Sequence, residues 1–471
     1  MTSPFFDRIH AALASPTAQA ASSSTPEAIP EVRVTGQGGL PSCFDVTGLA
    51  VASIAAAGAE IERYAAPAEA ADRRPRVEVD RRLASMWFGF SIRPVGWTLP
   101  SPWDPIAGDY RTSDGWIRLH TNAPHHRRAA LAVLGVAEEK QAVAAAVVDA
   151  TVEALEAAIV AAGGCAAAMR TEEEWRAHPQ GRAVQAEPLI AWQTQPCAAP
   201  RRAGRGLVAK RPLAGIRVLD LTRVLAGPVG SRLLAAHGAD VLRIDPPGWD
   251  EPGVVPEVTV GKRCAGLDLS VAADRARFEA LLAEADVLIH GYRPGALAGL
   301  GYDAPAIRAL NPGIVDVALC AYGWTGPWSG RRGFDSLVQM SSGIAESGRV
   351  WARADRPTPL PVQALDHATG YLMAAAVLRG LTLRRDWGIA TTARLSLARM
   401  AALLVEVGAA TIQPPHAVET AEDRAAGLEA TDWGPAQRLR FPLRIAAGEP
   451  SFAFAASALR SAPARFSASM R

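Results

Sequence analysis

Cysteine is scarce in this chain of 471 residues: the five, at positions 43, 165, 197, 264 and 320, are scattered and form no Cys-x-x-Cys pair. That argues against a disulfide framework or a cysteine zinc site and leaves the thiols as reduced core or loop residues. Excess charge of either sign is missing too. With 49 basic against 47 acidic residues and no long single-sign run, neither nucleic acid nor an anionic membrane is expected as partner. No apolar stretch approaches a membrane span, and the start, MTSPFFDRIHAALASP, lacks the basic-then-apolar order of a secretion signal. The expectation is a cytoplasmic protein acting on a small molecule or another subunit. Gly227 and Gly230 do not make the G-x-G-x-x-G signature, so no dinucleotide is expected. His120, His125 and His126 lack nearby cysteines or an i, i+4 pair, so no metal is expected either.

The length exceeds what one hydrophobic core usually supports, which implies two or more domains. Residues 15 to 31, SPTAQAASSSTPEAIPE, are too poor in large apolar side chains to pack and mark 1–35 as a flexible lead-in. A helical pattern over 48–64 precedes the alternating strand PRVEVDRRL (75–83), and Asp114-Gly115 between two strand-like runs signals a hairpin. Helices are expected at 124–135 and 146–163, and Thr171-Glu-Glu-Glu is a capping-type start. A Pro/Arg-rich linker, QPCAAPRRAGRG, closes this unit.

From Leu213 the texture changes. Strands IRVLDL (216–221), DVLRID (240–245), DVLIHGY (286–292) and GIVDVALCAYG (313–323) alternate with helical runs at 229–236, 271–284 and 304–310. That alternation implies an α/β fold with a doubly wound, Rossmann-like parallel sheet, whose ligands bind beyond the carboxyl ends of the strands. Near the end of the pattern, PLPVQALDHATGYLMAAAVLR (359–379) runs from a polar turn into an Ala-rich helix with Asp366 at its mouth. A carboxylate there accepts hydrogen bonds from unpaired amides and is favoured in its ionised form by the helix dipole. On spacing alone it reads first as an ordinary helix cap.

The motifs LAGIRVLDLTRVLAGP (213–228), HGADVLRIDPPG (237–248), GKRCAGLDL (261–269), ADVLIHGYRPGAL (285–297), NPGIVDVAL (311–319), YGWTGPW (322–328) and GFDSLVQMSSG (333–343), followed by the Asp366 stretch, resemble in order the class III CoA-transferases. The α-methylacyl-CoA racemases are relatives of the same group. The resemblance implies that Asp366 is the catalytic aspartate, passing through an acyl-aspartyl anhydride and an aspartyl-CoA thioester as CoA moves from an acyl-CoA to a carboxylic acid. It also implies CoA contacts at Val224, Leu225, Leu267, Tyr292 and Arg293, with Arg243 as a phosphate partner. CoA thioester is then a substrate and no cofactor is held permanently. Pro246-Pro247 stands where some relatives place arginines, and Gly291 where some have asparagine. The racemase alternative needs a His and Asp pair, and the matching position before Asp335 is Phe334, which carries no proton.

Members of that family continue past the catalytic helix into a smaller domain, and little sequence remains here after Arg385. The first unit offers itself instead, since FDVTGLAVASIAAAGAEI (44–61) then PRVEVDRRLASMWF (75–88) echo ALDHATGYLMAAAVLRGL (364–381) then TTARLSLARMAALL (391–404). Aligned on Thr47-Gly48 and Thr369-Gly370, Phe44 stands at the Asp366 position, with Asp45 one residue off. The expected organisation is a lead-in at 1–35, a degenerate family segment with a small α+β domain at 36–200, a linker at 201–212, and a CoA-binding catalytic domain at 213–471. The C-terminal stretch after Trp433 is expected to return as a strand covering the sheet. The family's interlocked homodimers extend to this chain as an expectation, beside closure of the rearranged chain on itself. A non-catalytic CoA-binding partner subunit is the third functional alternative.

Overall fold

The computed structural model describes residues 3–20, 29–66, 76–197, 210–408 and 414–467. Its centre is a seven-stranded sheet. In spatial order the strands are Lys262–Gly266, Asp240–Asp245, Arg217–Leu221, Val287–His290, Val315–Cys320, Ile389–Ser396 and Ala191–Pro196. The first six run parallel, and the last joins antiparallel at the edge. Parallel strands need helices on both faces, which is why VLDL, VLIH and VDVALC are apolar nearly throughout. Val218, Val287, Val315 and Val317 pack into the larger core with the long Ala-rich helix Ala364–Trp387, while Leu219, Leu242 and Leu288 pack into a second core with Phe278 and Leu281.

The chain leaves Arg217–Leu221 toward one edge and, after Lys262–Gly266, returns to pair Val287–His290 on the other side of the starting strand. Order reverses between these two neighbours, so the loops following them diverge and leave a crevice at their carboxyl ends.

The helix Ala364–Trp387 is buried from Ala364 to Leu383, lying against Ala226–Ala236 on one side and Val46–Ala65 on another. Its approach to Ala226–Ala236 depends on glycine. A Cβ built on Gly370 would lie 2.2 Å from the Ala226 carbonyl oxygen, and one on Gly230 would lie 2.6 Å from the Gly370 carbonyl oxygen.

The N-terminal part is woven into the C-terminal part. Glu31–Thr35 and Arg76–Asp80 form a small sheet with Leu443–Ile445, and Ile92–Pro94 pairs with Gly434–Arg438. Glu257 fastens the weave: its fully buried carboxylate accepts from the amides of Ser91 (3.0 Å) and Ile92 (3.0 Å), from Arg438 (3.1 Å) and from Arg232. A smaller unit has its own apolar core, formed by the hairpin Gly108–Arg111 and Trp116–Leu119, the strand Ala166–Ala168, and the helices Pro124–Leu134, Lys140–Val147 and Val152–Ala161.

Several expectations are corrected. Part of the supposed flexible lead-in is helix Pro4–Ala20, docked by buried Phe5, Phe6, Ile9 and Leu13, and Glu31–Thr35 is a strand. Residues 21–28 lie outside the described residues, as do 198–209, which hold most of the expected linker. The expected boundary after residue 200 does not separate two bodies, because Ala191–Pro196 closes the main sheet. The helix expected over 146–163 is two helices broken between Val147 and Val152. The C-terminal strands complete the two small sheets and do not cover the large one. By contrast the Asp114-Gly115 hairpin, the Thr171 capping box and the strand Asp240–Asp245 form where expected.

The order helix, strand, helix occurs twice, as Val46–Ala65, Arg76–Asp80, Arg81–Trp87 and as Ala364–Trp387, Ile389–Ser396, Leu397–Val407. In the first, Asp45 is a plain N-cap accepting from the Gly48 amide at 2.8 Å, and Phe44 is buried in the core.

Candidate functional site

Asp366 is the third residue of its helix. Gln363 occupies the N-cap and makes no side-chain cap bond. The cap comes from elsewhere: Asp335, which opens the helix Asp335–Ser341, accepts the Asp366 amide at 2.9 Å and a further bond from the Leu365 amide. Gln339 holds Asp335 with a 2.5 Å bond and accepts the Leu360 amide at 2.7 Å, so one side chain fixes both the capping carboxylate and the loop entering the helix.

This changes the electrostatics expected from sequence. The helix-mouth amides are spent on Asp335, and among the described residues no hydrogen bond reaches the Asp366 carboxylate. Burial pushes the Asp366 carboxyl well above the ordinary carboxylate range, and the neighbouring Asp335 charge pushes it further in the same direction. Burial raises Asp335 as well, opposed by the bonds from Gln339 and the two amides. Asp335, with three donors, is the better anion of the pair, and Asp366 the group that holds its proton longer. His367 faces a different environment. Its buried ring stacks on Phe88 at 5.1 Å, and burial lowers it to about 3, leaving it neutral.

Asp366 lines two adjoining spaces. The first is a cleft of about 330 Å³ at the crevice between the diverging strands, walled by Thr222 to Ala226, Gly291 to Arg293, Trp249 and the segment 331–334. It is rich in arginine. Arg223 lies between Trp249 (4.6 Å) and Tyr292 (5.1 Å) and donates to the Tyr292 hydroxyl at 3.1 Å. Arg331 is paired with Glu156 at 2.8 Å, whereas Arg293 and Arg332 are exposed and form no ion pair among the described residues. The second space is a cavity of about 400 Å³, to which the N-terminal part contributes Phe88, Phe90, Trp103 and His120. His120 stacks on Phe334 with ring centres 3.6 Å apart, so the aromatic at 334 forms wall.

Of the residues singled out from sequence, Asp366, Val224, Leu225, Tyr292 and Arg293 come together in the cleft. Leu267 and Arg243 do not. Leu267 packs into the core with Leu242 and Phe278. Arg243 is wholly buried mid-strand, held by Asp245 at 2.9 Å and by Glu251, because a guanidinium between covered sheet faces needs anionic partners within the protein. It acts one step back: Glu251, gripped by Arg243, accepts the Val224 amide at 2.7 Å and holds that residue at φ +62°, an unusual conformation for a β-branched side chain. Sequence reasoning passed over Trp249, Arg332 and the aromatics at 88, 90 and 103. Their only signal is large side chains within Pro/Gly-rich loops such as WTLPSPW and PPGWDEPG.

Comparison with known proteins bears on this geometry. Residues 213–440 match the model of CoA-transferase family III. The chain is 38% identical over 185 residues to an acetyl-coenzyme A transferase of Hypoxylon pulicicidum, an alignment covering 38% of this chain and 31% of that protein. It is 31% identical over 201 residues to a probable fatty acyl-CoA transferase of Mycobacterium tuberculosis, covering 40% and 50%. A solved CaiB/BaiF family protein from Brucella suis is 24% identical, with 48% of this chain and 65% of that one covered and a TM-score of 0.38. The chain thus spans at most half the length of these two curated relatives. The segment carrying the parallel strands, the arginine-lined cleft and the Asp366 helix is the one the model of CoA-transferase family III matches.

Proposed function

We propose that the protein moves CoA from an acyl-CoA thioester to a carboxylic acid, with Asp366 as nucleophile. The observation carrying this reading is that, among the described acidic residues, Asp366 alone borders both the arginine-lined cleft and the aromatic-walled cavity. CoA lies in the cleft on this reading, its phosphates near Arg293 and Arg332, its chain passing Val224 and Leu225, and its acyl group beside Asp366 in the cavity. The sheet serves as a doubly wound, Rossmann-like CoA-binding platform. The preceding segment acts as a degenerate copy that supplies a wall in place of a second nucleophile.

The chemistry balances without a resident cofactor. The ionised Asp366 oxygen attacks the thioester carbonyl and expels CoA thiolate, leaving a mixed anhydride. The thiolate then attacks the aspartyl carbonyl, releasing the donor carboxylate and leaving an aspartyl-CoA thioester. The acceptor carboxylate attacks that thioester to form a second anhydride, and the returning thiolate takes the new acyl group and restores Asp366. Water would hydrolyse either anhydride, so the aromatic enclosure protects the intermediates as well as placing them.

The test is intact-protein and peptide mass spectrometry after exposure to acyl-CoAs. A CoA-linked mass on the Asp366 peptide, lost in Asp366→Ala, is expected, and its absence with every donor defeats the mechanism. Entry of solvent deuterium at the α-carbon without an acceptor acid would indicate racemisation instead, and CoA binding without turnover across many acids would indicate a non-catalytic partner subunit. Among the described residues no helix is long and apolar enough to cross a membrane, and we place the activity in the cytoplasm.

A further inference from the structure

The cavity beside Asp366 differs from the cleft in one respect: among the described residues lining it there is no lysine or arginine. Its surface is aromatic at Phe88, Phe90, Trp103, Trp249 and Phe334, and its charged groups are all carboxylates. Two of these are matched from behind, Asp104 by Arg127 and Glu251 by Arg243. Among the described residues Asp250, Asp335 and Asp366 form no ion pair, and the cation felt by Asp335 is Arg118, which lies behind Trp103 and outside the lining. A ligand entering this space meets flat apolar walls and negative or neutral polar groups.

We propose that this cavity selects acyl groups with an uncharged, apolar body, aryl-alkanoyl or medium-chain alkanoyl, and disfavours those carrying a second carboxylate. The inference rests on the proposed transferase reading and narrows its substrate class. A dicarboxylic acyl group would lose the hydration of its far carboxylate, find no cation on the wall and face like charge. A phenyl or alkyl body gains by burial, and a ring gains further from edge-to-face or offset contact with Phe90, Trp103 and Phe334. The cavity of about 400 Å³ is within the range of small-molecule sites.

The experiment compares 3-phenylpropanoyl-CoA and octanoyl-CoA with succinyl-CoA and oxalyl-CoA. The rate of CoA adduct formation on Asp366 is measured in single turnover, and binding to the Asp366→Asn variant by calorimetry. The apolar donors should react and bind at least about tenfold better, the worth of one well-buried apolar group. Adducts that form equally well or better from succinyl-CoA overturn the cavity assignment while leaving Asp366 as nucleophile. If no donor leaves an adduct, the nucleophile reading fails and binding to Asp366→Asn still decides: tighter binding of 3-phenylpropanoyl-CoA than of succinyl-CoA supports the selectivity, and equal binding refutes it. Phe90→Lys, which sets a cation into the wall, should shift the preference toward succinyl-CoA, and an unmoved ratio also counts against the assignment.

Discussion

Gly370→Ala probes the contact on which the whole site is built. The added methyl would sit 2.2 Å from the Ala226 carbonyl oxygen and 3.0 Å from Val229 Cβ, and the carbonyl belongs to a helix backbone that cannot rotate aside. The crossing must open by about 0.8 Å before the shorter contact reaches 3.0 Å. Overpacking of this kind costs typically about 1–3 kcal/mol, while the better helix propensity of alanine returns about 1 kcal/mol, so the net loss should be about 0–2 kcal/mol. The functional loss should be larger. Gly370 lies one turn beyond Asp366, and Ala226 follows the Val224-Leu225 wall of the cleft, so opening the crossing moves Asp366 and the cleft apart. A misplacement near 1 Å can cost on the order of 10²-fold in rate. Urea unfolding and kcat/KM for an acyl-CoA are the assays, with Gly299→Ala as control, since nothing lies within 4 Å of a methyl there. The control should stay within about 0.5 kcal/mol of wild type. A Gly370→Ala protein with wild-type unfolding and wild-type kcat/KM would refute the argument that this crossing positions Asp366.

Asp366→Asn should stabilise the protein at pH 8 and less so at pH 5. The folded-state carboxyl is raised well above its unfolded value, so wild-type stability from this group is present at low pH and lost as pH rises through the folded pKa. The amide has no proton to lose, and urea melts at the two pH values read the difference. Glu257→Gln leaves buried Arg232 without its anion and Arg438 with Glu429 alone, and should cost about 3–5 kcal/mol in the same assay. Arg293→Ala and Arg332→Ala should each raise the acyl-CoA KM roughly fivefold, as expected for an exposed pair worth about 1 kcal/mol, with kcat little changed and the effect shrinking at high salt. Arg243→Met should destabilise the fold, in contrast to those two variants, because its partners are Asp245 and Glu251.

The parallel sheet was legible because its signal is local. Strands such as DVLRID are short apolar runs bounded by turns, and alternation with helices constrains their order. Elements whose stability is tertiary were not. Pro4–Ala20 sits beside a Ser/Ala/Pro tract and contains Pro16, yet Phe5, Phe6, Ile9 and Leu13 form one stripe that docks on the long helices. The strand Ala191–Pro196, AWQTQP, carries a polar edge sequence and exists because Ile389–Ser396 offers it a partner. Arg243 misled for a related reason, since a strand arginine looks the same in sequence whether it faces phosphate or a buried Glu251.

The Asp366 stretch shows the same limit at the scale of one residue. Sequence places capping and reactivity on a single carboxylate, because a helix-mouth Asp suits both. The fold gives the capping to another residue. Asp335, thirty-one residues earlier, takes the amides of Leu365 and Asp366 and so satisfies the helix end. Asp366 is left buried without donors, which makes its anion costly to form and, once formed, poorly solvated and basic. A carboxylate that must attack a thioester gains from that condition, because each hydrogen bond it accepted would have to be weakened as its oxygen bonds to carbon. On the proposed reading, Asp335 is therefore a positioning residue. Its replacement by alanine should loosen the helix mouth while also removing the like charge that helps keep Asp366 protonated.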